Sequence, residues 1–304
     1  FFFKQKTAYE ISTRDWSSDV CSSDLLAKGS MHLIDEAQAE KLYHAMGPAT
    51  MISGGSAANT IAGIASLGGS GSFIGKVRED VLGQAFTHDI RAMGVHFETK
   101  PASTGPATAR SFILVTPDGE RTMNTYLGAC QQLGSEDIDQ ETVEAAAVTY
   151  LEGYLWDPEA AKAAFRKAAA IAHAAGRKVS LTLSDGFCVD RYRDEFRDLM
   201  TNGSIDILFA NEHELKSLYT TADFDSAVKA LRDESLLAVV TRSSAGSVIV
   251  ERDEVTAVPA EPIEKLVDTT GAGDLFAAGF LLGYVRNLPH RDAARLGEIG
   301  RAHV

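Results

Sequence analysis

Asp268-Thr269-Thr270-Gly271-Ala272-Gly273-Asp274-Leu275-Phe276-Ala277-Ala278-Gly279 is the most informative stretch of the chain. A polar run passes through two glycines into a small, apolar segment that reads as a helix to Val285. Gly271 and Gly273 permit backbone geometries and close approaches that a Cβ obstructs. Amides in the first turn of a helix lack intrahelical partners and favour an anion. A phosphoryl group in a charge-rich transition state fits such a turn. Asp274 lies in the same turn, where a carboxylate can accept a proton from an attacking hydroxyl. A lone GxGD reads as a capping acid beside a tight turn. The complete DTTGAGD run ahead of an apolar helix favours chemistry.

Working outward, strand and helix patterns alternate. Helices are expected over 56–67, 80–93, 158–175, 212–219 and 225–232. Asp80 stands at one N-cap position, and Gly94 and Gly176 follow helix ends. Short strands are expected over 72–76, 149–151, 179–183, 205–209 and 236–240. Two extended runs, 107–116 and 121–127, flank Pro117-Asp118-Gly119-Glu120, a hairpin signal, and 247–258 reads as a second hairpin. This order implies an α/β fold: a mainly parallel sheet sandwiched by helices. The 107–127 hairpin interrupts the rhythm and is expected to form a small β lid.

Composition narrows the function. With 304 residues and 45% apolar content, the chain can bury one large α/β core. A net charge of −13 and no Lys/Arg cluster argue against nucleic-acid binding. ATP needs only local amides and local positive potential. Cys21, Cys130 and Cys188 are widely spaced, and the histidines show no metal-ligand spacing. These features fit a reducing cytoplasm. No apolar run reaches the roughly 18 residues that span a bilayer, so no membrane partner is expected. Gly75-Lys76 lacks the rest of a Walker A loop, and no GxSxG is present.

Both ends look foreign. Asp19-Val20-Cys21-Ser22-Ser23-Asp24-Leu25 can be encoded by DNA whose reverse complement encodes Glu298 to Val304. Inverted copies of one segment at two ends look like translated sequencing adapters. Residues 1–25 and 298–304 therefore read as non-native extensions, with one domain over 26–297 cut at both ends. The first 25 residues are expected to make few core contacts. Residues 298–304 are expected at most to extend a helix.

The DTTGAGD run resembles the C-terminal motif of the ribokinase-like (PfkB) family of small-molecule kinases. A second match is Gly54-Gly55-Ser56-Ala57-Ala58-Asn59, followed by Gly68 and Gly75, which looks like that family's N-terminal motif. The resemblance covers about 31–296. It implies a ribokinase-like fold and transfer of the ATP γ-phosphate to a hydroxyl. It implies Asp274 as general base, and Gly271, Ala272 and Gly273 as an anion hole. Gly55 and Asn59 match substrate-binding positions. Asn211-Glu212-His213-Glu214 resembles the family's NxxE motif, which implies that Glu214 acts on Mg²⁺ through water and that Asn211 helps position the nucleotide. Thr241, Arg242 and Gly246 lie in a stretch similar to the nucleotide-binding loop, although Ser243 stands where glycine is commoner. ATP and Mg²⁺ are the implied cofactors.

Arg121-Thr122-Met123-Asn124-Thr125-Tyr126-Leu127 resembles the lid strand of adenosine-kinase-like members. Arg121 matches a lid arginine that meets the phosphates on closure. Leu127 and Tyr154 match apolar or aromatic positions around a nucleobase. The resemblance therefore implies a nucleoside acceptor, adenosine first. A sugar kinase of the ribokinase or fructokinase type is the alternative. Family members also open with a strand whose aspartate grips ribose; here Asp15, Asp19 and Asp24 lie in foreign-looking sequence. Nothing after about Leu296 matches the family's adenine-holding segment. An inactive nucleoside-binding fragment is therefore a further alternative.

Overall fold

The computed structural model describes residues 8–12, 31–115, 121–264 and 270–302. In chain order the strands are β1 (Ala8–Ser12), β2 (Met31–Leu33), β3 (Thr50–Ile52), β4 (Arg110–Val115), β5 (Arg121–Tyr126), β6 (Val148–Glu152), β7 (Lys178–Thr182), β8 (Ile207–Asn211), β9 (Leu237–Thr241), β10 (Ser247–Glu251) and β11 (Glu254–Val258). The helices are α1 (Glu36–Ala45), α2 (Ser56–Ser66), α3 (Val81–Ala92), α4 (Gln140–Ala145), α5 (Glu159–Ala174), α6 (Gly186–Thr201), α7 (Glu212–Leu218), α8 (Phe224–Leu231), α9 (Ala272–Val285) and α10 (His290–Arg301).

The main sheet has six strands in the order β11-β10-β9-β8-β7-β6. β6 to β9 are parallel, and β10 and β11 add an antiparallel edge. β8, β9 and β10 are buried on both faces because helices cover both. On one face, Leu208, Ala210, Ala238 and Val240 pack with α5, α6, α7 and α8. On the other, Ile207, Phe209, Leu237 and Val239 meet Phe276, Phe280, Ala293 and Ala294 of α9 and α10. α9 is apolar all round because it is enclosed. Its neighbours approach closely: a Cβ on Gly63 of α2 would stand 2.8 Å from the Ala278 Cβ, and one on Gly279 would stand 2.5 Å from the Leu296 carbonyl oxygen. The α/β architecture expected from the sequence is present.

The second sheet, in the order β2-β5-β4-β1-β3, is larger than the expected hairpin. β4 and β5 are that hairpin, paired from Arg110↔Tyr126 to Val115↔Arg121. Phe112 and Tyr126 face Ala39 of α1, while Ser111, Ile113, Met123 and Thr125 face the cleft. β1 lies between β3 and β4. The expectation of few core contacts concerns side chains that lie outside the described ones; the backbone of β1 is paired on both sides. The facing edges of β3 and β4 carry backbone donors and acceptors that any extended segment can satisfy, whatever its side chains.

Other expectations shift. The strand expected at 72–76 is absent; Ser72 makes only an isolated bridge to His96. Its apolar residues serve an aromatic cluster instead, where Phe73 meets Phe86 and Phe97. α10 continues through Arg301, as expected of a helical extension, yet it is tightly seated. Glu298 is fully buried, its Oε2 2.6 Å from Arg301 Nε and its Oε1 unpartnered among the described residues. Burial raises its carboxyl above the ordinary range.

Candidate active site

The cleft lies at the carboxyl ends of the parallel strands, where helix N-termini converge. Gly271 caps α9 at φ +77°, a left-handed conformation that suits glycine. That turn frees the first amides of α9 to point outward. A Cβ on Gly273 would meet nothing within 4 Å. The packing of the protein therefore does not itself require glycine there. Asp268 and Thr269 lie outside the described residues.

Asp274, in the first turn of α9, reaches the first turn of α2. Ser56 Oγ donates to Asp274 Oδ1 at 2.8 Å, and Asn59 Nδ2 donates to Oδ2 at 2.8 Å. Gly55, at φ +106°, turns the chain into α2 and places both donors. Burial raises the Asp274 carboxyl, while the Asn59 and Ser56 hydrogen bonds pull it down. Beside them, Glu152 ends β6 and is buried. Burial, then the charge of Asp274, push its carboxyl up to about 8 against the Ser56 hydroxyl and the Ala57 amide.

Across the cleft, Asn211 and Thr241 end neighbouring strands in register. Asn211 caps α7: its Oδ1 accepts from Glu214 N at 2.8 Å, and its N–H donates back to Glu214 Oε2 at 2.9 Å. Glu214 is buried, which pushes its carboxyl up to about 7. Arg242 is held by Glu212, Nε to Oε2 2.9 Å, with its guanidinium 3.9 Å from the centre of the Phe224 ring. Leu127 and Tyr154 line another wall, the Tyr154 N–H donating to Ser184 Oγ at 3.2 Å.

One cleft thus gathers Gly55, Asn59, Leu127, Tyr154, Asn211, Glu214, Thr241, Arg242 and Gly271 to Asp274. Gly246 stands behind the loop rather than on the wall. Its φ of +86° and missing Cβ admit the Val258 carbonyl oxygen, so its place is explained by packing. Arg121 opens β5 opposite Val115, and its side chain lies outside the described residues. Sequence reasoning missed Ser56 as a partner of Asp274, and it missed Glu152, Asp185 and Phe187 on the walls. Glu152 had a readable signal, a carboxylate ending an apolar strand before Gly153. The contact of Ser56 with Asp274 had none, because it joins two distant helices.

A glycine-led helix terminus and a neighbouring carboxylate thus stand together at the carboxyl ends of a parallel sheet. The chain belongs to the pfkB family of carbohydrate kinases, which it matches over residues 25–301. It is a nucleoside or sugar kinase of that family. It is similar to the adenosine kinase of Sinorhizobium meliloti, at 53% identity and a TM-score of 0.90, covering 97% of this chain and 90% of that one. It is also similar to a probable sugar kinase protein of Rhizobium etli, at 52% identity and a TM-score of 0.90, covering 94% and 87%. Fructokinase-1 of Zea mays is 29% identical over 77% of this chain and 74% of its own length.

Proposed function

We propose that the chain is an adenosine kinase, moving the γ-phosphoryl group of ATP to the 5′-hydroxyl of adenosine. The observation that carries the acceptor class is the cleft wall of Leu127 and Tyr154, with the exposed Phe187 ring at the same cleft. A flat, apolar-faced base gains from such surfaces, whereas a free sugar needs polar partners on every side. The similarity to the Sinorhizobium meliloti enzyme supports the same reading.

In this reading Asp274 takes the 5′-hydroxyl proton as the oxygen attacks the γ-phosphorus. The bond to the β-phosphate oxygen breaks, and ADP leaves with that electron pair. The amides of Gly271, Ala272 and Gly273 face the transferring group and stabilise its spreading charge. Gly55 and Asn59 hold the ribose side. Asn211, Thr241 and Arg242 serve the nucleotide. Arg121, on the second sheet acting as a lid, adds a cation when the lid closes.

The donor set fits a Mg²⁺ that arrives on the nucleotide. Among the described residues no cluster of three or more His, Cys, Asp or Glu could hold a metal, and Mg²⁺ commonly relies on phosphates, waters and one or two carboxylates. Glu214 would be the carboxylate that meets one of those waters. The ion would supply charge neutralisation across the phosphates.

A panel of adenosine, other nucleosides, ribose and fructose with ATP, read as ADP release, tests the proposal. Turnover of fructose or ribose without adenosine would replace it with the sugar-kinase reading, which the Rhizobium etli and Zea mays relatives support. Adenosine binding by calorimetry with no ADP release would indicate a binding protein.

A further inference from the structure

Glu152 stands where α2 and α9 meet. Facing it are the Ser56 hydroxyl and Ala57 amide from α2 and Asp274 from α9. Tyr150 on its own strand, Tyr154 in the following turn and Cys130 beyond complete its titratable surroundings. No Lys, Arg or His among the described residues acts on it. Its side chain is only 9% exposed, and Oε1 has no hydrogen-bond partner among the described residues.

Ser56 has a single hydroxyl proton, and at 2.8 Å that proton serves Asp274. Asp274 also receives the Asn59 amide and sits at two helix N-termini, which favour an anion. Glu152 has the Ala57 N–H and the Ser56 hydroxyl, whose one proton is turned to Asp274. The charge of Asp274 acts on Glu152; two buried carboxyls that interact resist ionising together, and the better-served one keeps the charge.

We propose that Glu152 is a positioning residue that stays protonated in the working enzyme, leaving Asp274 as the one charged carboxyl at the junction of α2 and α9. The inference rests on Asp274 being the base. A neutral Glu152 lets the Ser56 hydroxyl stay turned toward Asp274, and it keeps a second negative charge away from the incoming phosphates. Once Glu152 ionises, that charge repels them, so turnover falls on the alkaline side.

The sign of the stability effect follows. The folded-state value, about 8, lies above the ordinary 4.5. The stability tied to the bound proton is therefore complete below about 4.5 and lost as pH rises through about 8.

The test is infrared spectroscopy of protein labelled with ¹³C-carboxyl glutamate, titrated with pH. A protonated-carboxyl band is expected at neutral pH, with Glu214, near 7, contributing to it; the component that fades near pH 8 should be missing in Glu152→Gln. In Asp274→Asn the midpoint should fall, because the neighbouring charge is gone. Glu152→Gln, which keeps a neutral side chain with a donor, should turn over at least ~10-fold faster than Glu152→Ala, and it should lack the alkaline limb seen in the parent. An ionised Glu152 at neutral pH, or Glu152→Gln no faster than Glu152→Ala, overturns the proposal. If Glu152→Gln does not fold, the parent titration decides alone. Near-normal turnover in Asp274→Asn would remove the base while leaving the infrared result intact, so the two failures are distinguishable.

Discussion

Asn59 Nδ2 donates to Asp274 Oδ2 at 2.8 Å across 215 residues of chain, joining the first turn of α2 to the first turn of α9. With Ser56 on the other carboxylate oxygen, this contact aims the proposed base and favours its charged form.

Replacing Asp274 with Asn keeps the shape and removes the base. Turnover should fall by at least ~10²-fold, the scale of a lost general base, with little change in nucleoside affinity. Steady-state kinetics beside calorimetry checks this, and a near-normal kcat takes Asp274 out of the mechanism.

Ser56→Ala removes a hydrogen bond that stabilises the Asp274 carboxylate. The carboxyl should then need a higher pH to ionise, so the acid limb of kcat/KM should move to higher pH. A pH-rate profile of parent and variant reads it directly. An unmoved limb would mean that Ser56 does not tune the base.

The two motif glycines should separate stability from chemistry. Gly271→Ala forces a Cβ into φ +77° and should cost about 1–2 kcal/mol. Gly273→Ala meets nothing within 4 Å, so its melting temperature should stay near the parent's while kcat drops. Unchanged kcat in Gly273→Ala would show that no phosphoryl group approaches those amides.

Arg121→Ala should lower kcat more than it raises KM for the nucleoside, because a contact to developing phosphoryl charge is worth most in the transition state. A change in thermal stability alone would make Arg121 a hairpin residue.

Deleting residues 1–25 removes β1 from between β3 and β4. Faster hydrogen exchange is expected in both neighbours, which lose their backbone partners. Stability within ~1 kcal/mol of the parent would bear out the expectation of few core contacts, and unchanged exchange would show that the pairing of β1 adds nothing to its neighbours.

The sequence by itself determined much of the local structure. Asp80 caps α3 as its position foretold, accepting from Gly83 N at 2.8 Å. The Asp-Gly turn marked the β4–β5 hairpin, and DTTGAGD marked the mouth of α9. Such features depend on residues a few positions apart, whose φ/ψ limits and periodicity can be read directly. The family resemblance added the grouping of Asn59, Asn211 and Asp274 around one cleft. Only the tertiary structure decided the rest. Nothing local tells which strand fills the gap between β3 and β4, because backbone pairing is blind to sequence distance and tolerant of side-chain identity. The strand end before Gly153 hinted that Glu152 faces the cleft, but nothing local raises its carboxyl. Its burial, and the charge of an aspartate more than a hundred residues away, separate the two carboxyls.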